Sequence, residues 1–155
     1  MSKNKNSKVV EIDQSWRLEN TNKATAIGFS NGKSGSILIP SKVKKAVYQI
    51  LNEKYGRTNS NNLRLFSCGI LLLIKIHELT NYTFLIDEEY PSHDITLVDM
   101  IIKRGTKIGL KLSKNQFNIV NIGKSEAHWV SIKTFKNKKF ATKIIKLNDI
   151  LGIIK

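Results

Sequence analysis

The chain has 155 residues, 26 of them Lys or Arg against 12 Asp or Glu, for a formal net charge of +14 with 41% apolar residues. That length accommodates one domain with a sizeable core rather than two. A single cysteine, Cys68, excludes an internal disulfide and a cysteine zinc cluster. The longest apolar stretch, Gly69 to Ile76, is interrupted by Lys75 and flanked by Arg64 and His77, which excludes a bilayer span. Residues Met1 to Lys8 are polar and basic with no apolar run behind them, unlike a signal peptide. The expectation is a disordered basic tail over 1–8, one domain over 9–155, and a soluble, cytoplasmic protein with no membrane partner.

Along the chain, Lys8 to Arg17 alternates Val9, Glu11 and Asp13 against Val10 and Ile12 and reads as a strand. Ala24 to Ser30 is a second strand. The Asn31-Gly32 turn signal joins it to a third, Gly35 to Pro40, so the three form an antiparallel meander. Ser41 is the expected N-cap of a helix to about Tyr55, with Val43, Val47, Ile50 and Leu51 at helical spacing and Gly56 past its end. Arg57 to Asn62 is a polar loop. Leu65 to Leu79 is apolar enough for helix or strand, its length favours a buried helix, and Cys68 fits there as a small buried residue. Tyr82 to Ile86 is a strand, Ser92 to Arg104 a helix, Phe117 to Ile122 a strand, and Ser125 to Phe135 the last helix. Strands alternating with helices after the meander imply right-handed crossovers and a parallel part of the sheet.

The acids stand out against the charge of the whole. Asp87, Glu88 and Glu89 are adjacent at the end of the strand Tyr82 to Ile86, where like charges repel unless something neutralises them. A hard divalent ion, Mg²⁺ or Mn²⁺, held by carboxylates and phosphate oxygens is one use for them; a solvated strand end or helix start is the other. Alternation puts Asp87 and Glu89 on one face and Glu88 on the other. Two acid-free basic runs, Lys103-Arg104-Lys107-Lys111-Lys114 and Lys133-Lys136-Lys138-Lys139-Lys143-Lys146, favour a polyanionic partner through counterion release. Lys, Asn and Ile are abundant throughout, so part of this charge simply solvates the surface. His93 fits a helix start capped by Ser92 or Asp94, and His77 a helix surface beside Glu78. Trp16 and Trp129 fit core or subunit-contact roles, which leaves a homodimer open, and Trp129 also fits stacking on an exposed base. Ser15 and Ser125 lack the base and oxyanion partners of a serine nucleophile.

This order of elements, with Asp13 inside Val9-Val10-Glu11-Ile12-Asp13-Gln14-Ser15, Asp87-Glu88-Glu89 ending the fourth strand and His128 in Gly123-Lys124-Ser125-Glu126-Ala127-His128, resembles the ribonuclease H-like superfamily and, within it, the RuvC-like Holliday-junction resolvases. The resemblance covers most of Lys8 to Phe135. It implies an α/β fold with a mixed five-stranded sheet, a three-stranded antiparallel meander plus parallel strands, flanked by helices. It also implies a metal-dependent endonuclease that cuts branched or duplex DNA with two Mg²⁺ or Mn²⁺ ions about 4 Å apart. By the same resemblance Asp13, Asp87, Glu88, Glu89 and His128 are the catalytic set, with Asp13, Asp87, Glu89 and His128 toward metal. Lys124, Lys133, Lys136, Lys138, Lys139 and Trp129 would meet the nucleic acid. Resolvases of this group carry a further acid one turn on along the last helix, where this chain has Ser131. The alternative is therefore a DNA- or RNA-binding module with a degenerate site.

Overall fold

Side chains alternate along the strand Val9–Ser15 (β1), so that Val10 and Ile12 enter a core on one face while Asp13 faces the other way. Thr25–Ser30 (β2) is buried at every position, because both of its faces are covered. It turns through Gly32, whose φ of 97° requires glycine, into Ser34–Ile39 (β3). The computed structural model to which these elements belong describes residues 8–154. Of the expected tail, residues 1–7 lie outside the described residues, whereas Lys8 is held by its carbonyl, which accepts from the Thr83 N–H at 2.6 Å.

Helix Ser41–Tyr55 (α1) starts one residue earlier than expected. Pro40 is its N-cap, with its carbonyl accepting from Lys44 N–H at 3.0 Å, and the Ser41 hydroxyl instead donates to the Thr21 carbonyl. Helix Ser60–His77 (α2) resolves the ambiguous apolar stretch. It absorbs half of the expected polar loop, because the Asn61 carboxamide donates to Asn52 and to the Gly56 carbonyl and so satisfies the α1–α2 corner. Strand Thr83–Asp87 (β4), helix Asp94–Lys107 (α3), strand Phe117–Val120 (β5) and helix Glu126–Lys136 (α4) follow as read, within a few residues at their ends.

Among the described residues the sheet has six strands, not five, in the order β5-β4-β1-β2-β3-β6, the last being Lys143–Ile144 (β6) beside β3. Two residues are too few for alternation to register in sequence. β6 is held from its flanks, where Thr142 N–H donates to Ser36 O at 2.7 Å and Ile145 N–H to Leu38 O at 2.8 Å. A final helix, Leu147–Ile154 (α5), was also not expected, although Leu147, Ile150, Leu151 and Ile154 are spaced to share a face; Asp149 starts it by accepting from Lys146 N–H at 2.8 Å. The sheet is mixed: β1–β2 and β2–β3 pair antiparallel, and β1–β4, β4–β5 and β3–β6 pair parallel.

Two unequal layers cover this sheet. The core side carries α2, with α1, α3 and α5 packed against it, and α4 alone covers β1, β2 and β3 on the other side. Among the described residues no helix is long and apolar enough to cross a membrane. The approach of α4 depends on Gly28, because a Cβ there would lie 2.9 Å from Val130 Cγ1 and 3.0 Å from the Ser131 backbone nitrogen. Gly69, on α2, would crowd only the terminal methyl of the Ile27 side chain, at 2.5 Å. Gly28→Ala should therefore lower stability by about 1–3 kcal/mol, as overpacking against fixed backbone does, and Gly69→Ala by less. Urea unfolding midpoints with unchanged slopes would measure both.

Candidate metal centre

Parallel pairing of β1 and β4 aligns Ile12 with Ile86, so the next residues, Asp13 and Asp87, come level at the carboxyl ends of neighbouring central strands and on the same face. In open α/β sheets that strand end is where ligands are held. Glu89 follows just past the end of β4. Oxygens of the Asp13, Asp87 and Glu89 carboxylates lie within 4.8 Å of one another.

Each aspartate is anchored. One Asp13 oxygen accepts from the Gln14 N–H at 2.8 Å and the other meets His128 Nδ1 at 3.0 Å. Asp87 accepts from the Ile122 N–H at 3.1 Å, which ties the strand end to the chain beyond β5. Glu88 is exposed and lies outside the cluster, its N–H continuing the β4–β5 ladder to the Val120 carbonyl at 2.9 Å. Glu88, expected in the catalytic set, is therefore not part of this cluster, as strand parity requires.

Electrostatics makes the cluster unusual. Asp13 is only 3% exposed, and among the described residues the sole basic group within ion-pair distance of the three carboxylates is the His128 imidazole. Burial first, and then the Asp87 charge, push the Asp13 carboxyl above its usual range. Burial and the hydrogen bond to Asp87 push Glu89 up to about 8. Without a cation the trio therefore retains a proton near neutrality. Its all-oxygen donor set fits a hard divalent ion such as Mg²⁺ or Mn²⁺, which Asp13, Asp87 and Glu89 would hold.

His128 reaches Asp13 because α4 begins where it does. Ser125 caps the helix by accepting from the His128 N–H at 3.4 Å, and Ala127, Ser131 and Thr134 face the sheet. His128 contacts Asp13 and lies outside the cluster of three carboxylates. Ser131 is fully buried, with its hydroxyl donating to the His128 carbonyl at 2.8 Å, and Glu126 is exposed, so α4 adds no carboxylate to the cluster.

Around this centre, Trp129 is 55% exposed with its ring edge-on to His128 at 5.1 Å. Lys124, Lys133, Lys136, Lys138 and Lys139 are exposed on or beside α4, in the layer on the site face of the sheet, and Lys133 caps the exposed Phe140 ring at 4.2 Å. The other basic run lies on and after α3, on the opposite side of the sheet, where Lys114 pairs with Asp99 at 2.9 Å. Trp16 stacks on Phe135 at 5.6 Å with Lys23 over its ring. His93 is the N-cap residue of α3 and no side chain caps that helix, contrary to the expected role of Ser92 or Asp94. His77, expected on the surface, packs edge-on against Phe29 at 4.6 Å and hydrogen-bonds Thr142. Gln14 was not foreseen. Its one sequence signal is an amide at a position of β1 that alternation assigns to the core.

The chain matches no protein-family model, no curated protein and no solved structure.

The raised Glu89 carboxyl sets a pH dependence with a definite sign. Between about 4.5 and about 8 the folded protein binds more protons than the unfolded chain, so this group's stabilisation is complete below the lower value and is lost as pH rises through the upper. In chelator-treated buffer, the melting temperature of the unaltered protein minus that of Glu89→Gln should fall as pH is raised from 5 to about 8.5. A difference independent of pH would mean that Glu89 is solvated like an ordinary carboxylate.

Proposed function

We propose that the protein is a metal-dependent nucleic-acid endonuclease of ribonuclease H-like topology that hydrolyses phosphodiesters, with branched DNA, as cut by Holliday-junction resolvases, as its substrate. One observation carries this reading: three carboxylates gathered within 4.8 Å at the ends of the central strands of a protein whose surface is otherwise strongly basic. The strand order β3-β2-β1-β4-β5, with an antiparallel meander followed by parallel strands, supports the fold assignment. β6 and α5 are additions at its edge.

The division of labour follows from the geometry. Asp13, Asp87 and Glu89 would hold Mg²⁺ or Mn²⁺, which when bound activates water and stabilises the leaving oxygen. His128 fixes the orientation of Asp13 through its Nδ1. The exposed lysines of the α4 layer supply the positive potential that draws a polyanion toward an otherwise repulsive acidic centre. Trp129 offers a stacking surface for a base beside His128.

A second reading, a DNA- or RNA-binding module without cleavage, is favoured by the lack of a carboxylate from α4, where Ser131 is buried. Asp13→Asn separates the two. For a nuclease, cleavage of four-way, flapped or duplex DNA in Mg²⁺ or Mn²⁺ should fall by about two orders of magnitude or more, while binding in a gel-shift assay is retained or tightened. Binding without any cleavage by the unaltered protein, on DNA, RNA or hybrids with either metal, would establish the module instead.

A further inference from the structure

Gln14 stands next to Asp13 in β1, paired with Ile27 of β2, and is 7% exposed. Neither its carboxamide nitrogen nor its carboxamide oxygen has a hydrogen-bond partner among the described residues. A buried, unsatisfied amide costs about 1–3 kcal/mol, and an apolar residue of the same size would avoid that cost. What surrounds Gln14 indicates what it is for. Alternation turns its backbone position away from Asp13, toward the side of Val10 and Ile12, yet its amide lies close enough to the Glu89 carboxyl and the Tyr90 phenol for a side-chain hydrogen-bonding interaction that falls short of full geometry. Tyr90 is itself fixed, its hydroxyl donating to Glu19 at 3.1 Å and its ring packed edge-on against Phe66. Glu89, just past the end of β4, thus interacts with two consecutive residues of β1, the Asp13 carboxylate and the Gln14 amide, although no Gln14 hydrogen bond reaches full geometry.

Resting on the metal-centre reading above, we propose that Gln14 is a positioning residue of the cation site: when a divalent cation binds, the Gln14 Nε2 donates to Glu89 and holds that carboxylate toward Asp13 and Asp87. The chemistry suits the role. An amide donor adds no charge to a crowded acidic centre, it stabilises a carboxylate acting as a ligand, and it leaves the opposite carboxylate oxygen free for the ion. Asp13 has His128 and a backbone N–H to orient it, and Asp87 has the Ile122 N–H. Glu89 has no corresponding donor from the backbone among these contacts, and Gln14 is the buried amide in position to supply one. Removing such a supporting partner typically weakens metal affinity about 10- to 100-fold.

The test is Mn²⁺ affinity, measured by calorimetry or by the paramagnetic resonance of free Mn²⁺, for the unaltered protein, Gln14→Met, Gln14→Asn and Glu89→Gln, with the Gln14→Met/Glu89→Gln pair closing a double-mutant cycle. Gln14→Met should bind Mn²⁺ about 10- to 100-fold more weakly, while its melting temperature in chelator stays the same or rises, because the unsatisfied amide is gone. Gln14→Asn, with its amide withdrawn by one methylene, should lose affinity as well and keeps the test open if the Met variant folds poorly. The Gln14→Met effect should largely vanish in the Glu89→Gln background. Affinities within about 3-fold of the unaltered protein for both Gln14 variants, or effects that add fully with Glu89→Gln, would overturn the proposal. No Mn²⁺ binding by the unaltered protein would overturn the metal centre itself, a different and separately visible result.

Discussion

The structure depends on one costly arrangement: carboxylates of like charge, one of them almost fully buried, held together with no Lys or Arg among the described residues to neutralise them. Charge burial of this kind is destabilising unless a proton or a cation intervenes. Here burial and the neighbouring carboxylates push the Asp13 and Glu89 carboxyls upward, toward holding a proton. With 26 basic residues in the chain, placing one beside Asp13 would have been simple. A site that keeps its own cations out is one suited to receiving a cation from solution.

The rest of the fold serves that arrangement. Parallel pairing of β1 with β4 brings Asp13 and Asp87 level, since antiparallel strands would have put their carboxyl ends at opposite edges of the sheet. The missing side chain at Gly28, cross-strand partner of Asp13, lets α4 settle close enough for His128 to reach that aspartate. Asymmetry between the layers matters as well. Four helices bury the core face, whereas a single helix covers the other, so the strand ends bearing the acids are left beside α4 and its exposed lysines.

Much of this was legible in the sequence, for identifiable reasons. Alternation is clear over residues 9–12 of β1 and through β4, so Asp13 and the Asp87/Glu89 parity could be read directly, and Asn31-Gly32 marked the meander. The same parity sets Glu88 apart from the metal-facing pair. What sequence could not show depends on tertiary contact. β6 is two residues long, the closeness of α4 rests on an atom that Gly28 lacks, and the N-cap of α1 shifted to Pro40 because the Ser41 hydroxyl found the Thr21 carbonyl. Beyond its place in that alternation, Gln14 carries no distinguishing signal in the sequence, because only its burial marks the amide. Ser131 stood out as a missing acid, and its burial against β2 shows that α4 uses that position for packing.

The central claim is that Asp13, Asp87 and Glu89 form a divalent-cation site. Its most direct test is a crystal of the protein soaked in Mn²⁺ and measured for anomalous scattering. The account predicts an anomalous peak among the three carboxylates, at about 2.0–2.6 Å from their oxygens. Crystals soaked at millimolar Mn²⁺ above pH 8 that show no peak there, with the carboxylates still clustered, would contradict it.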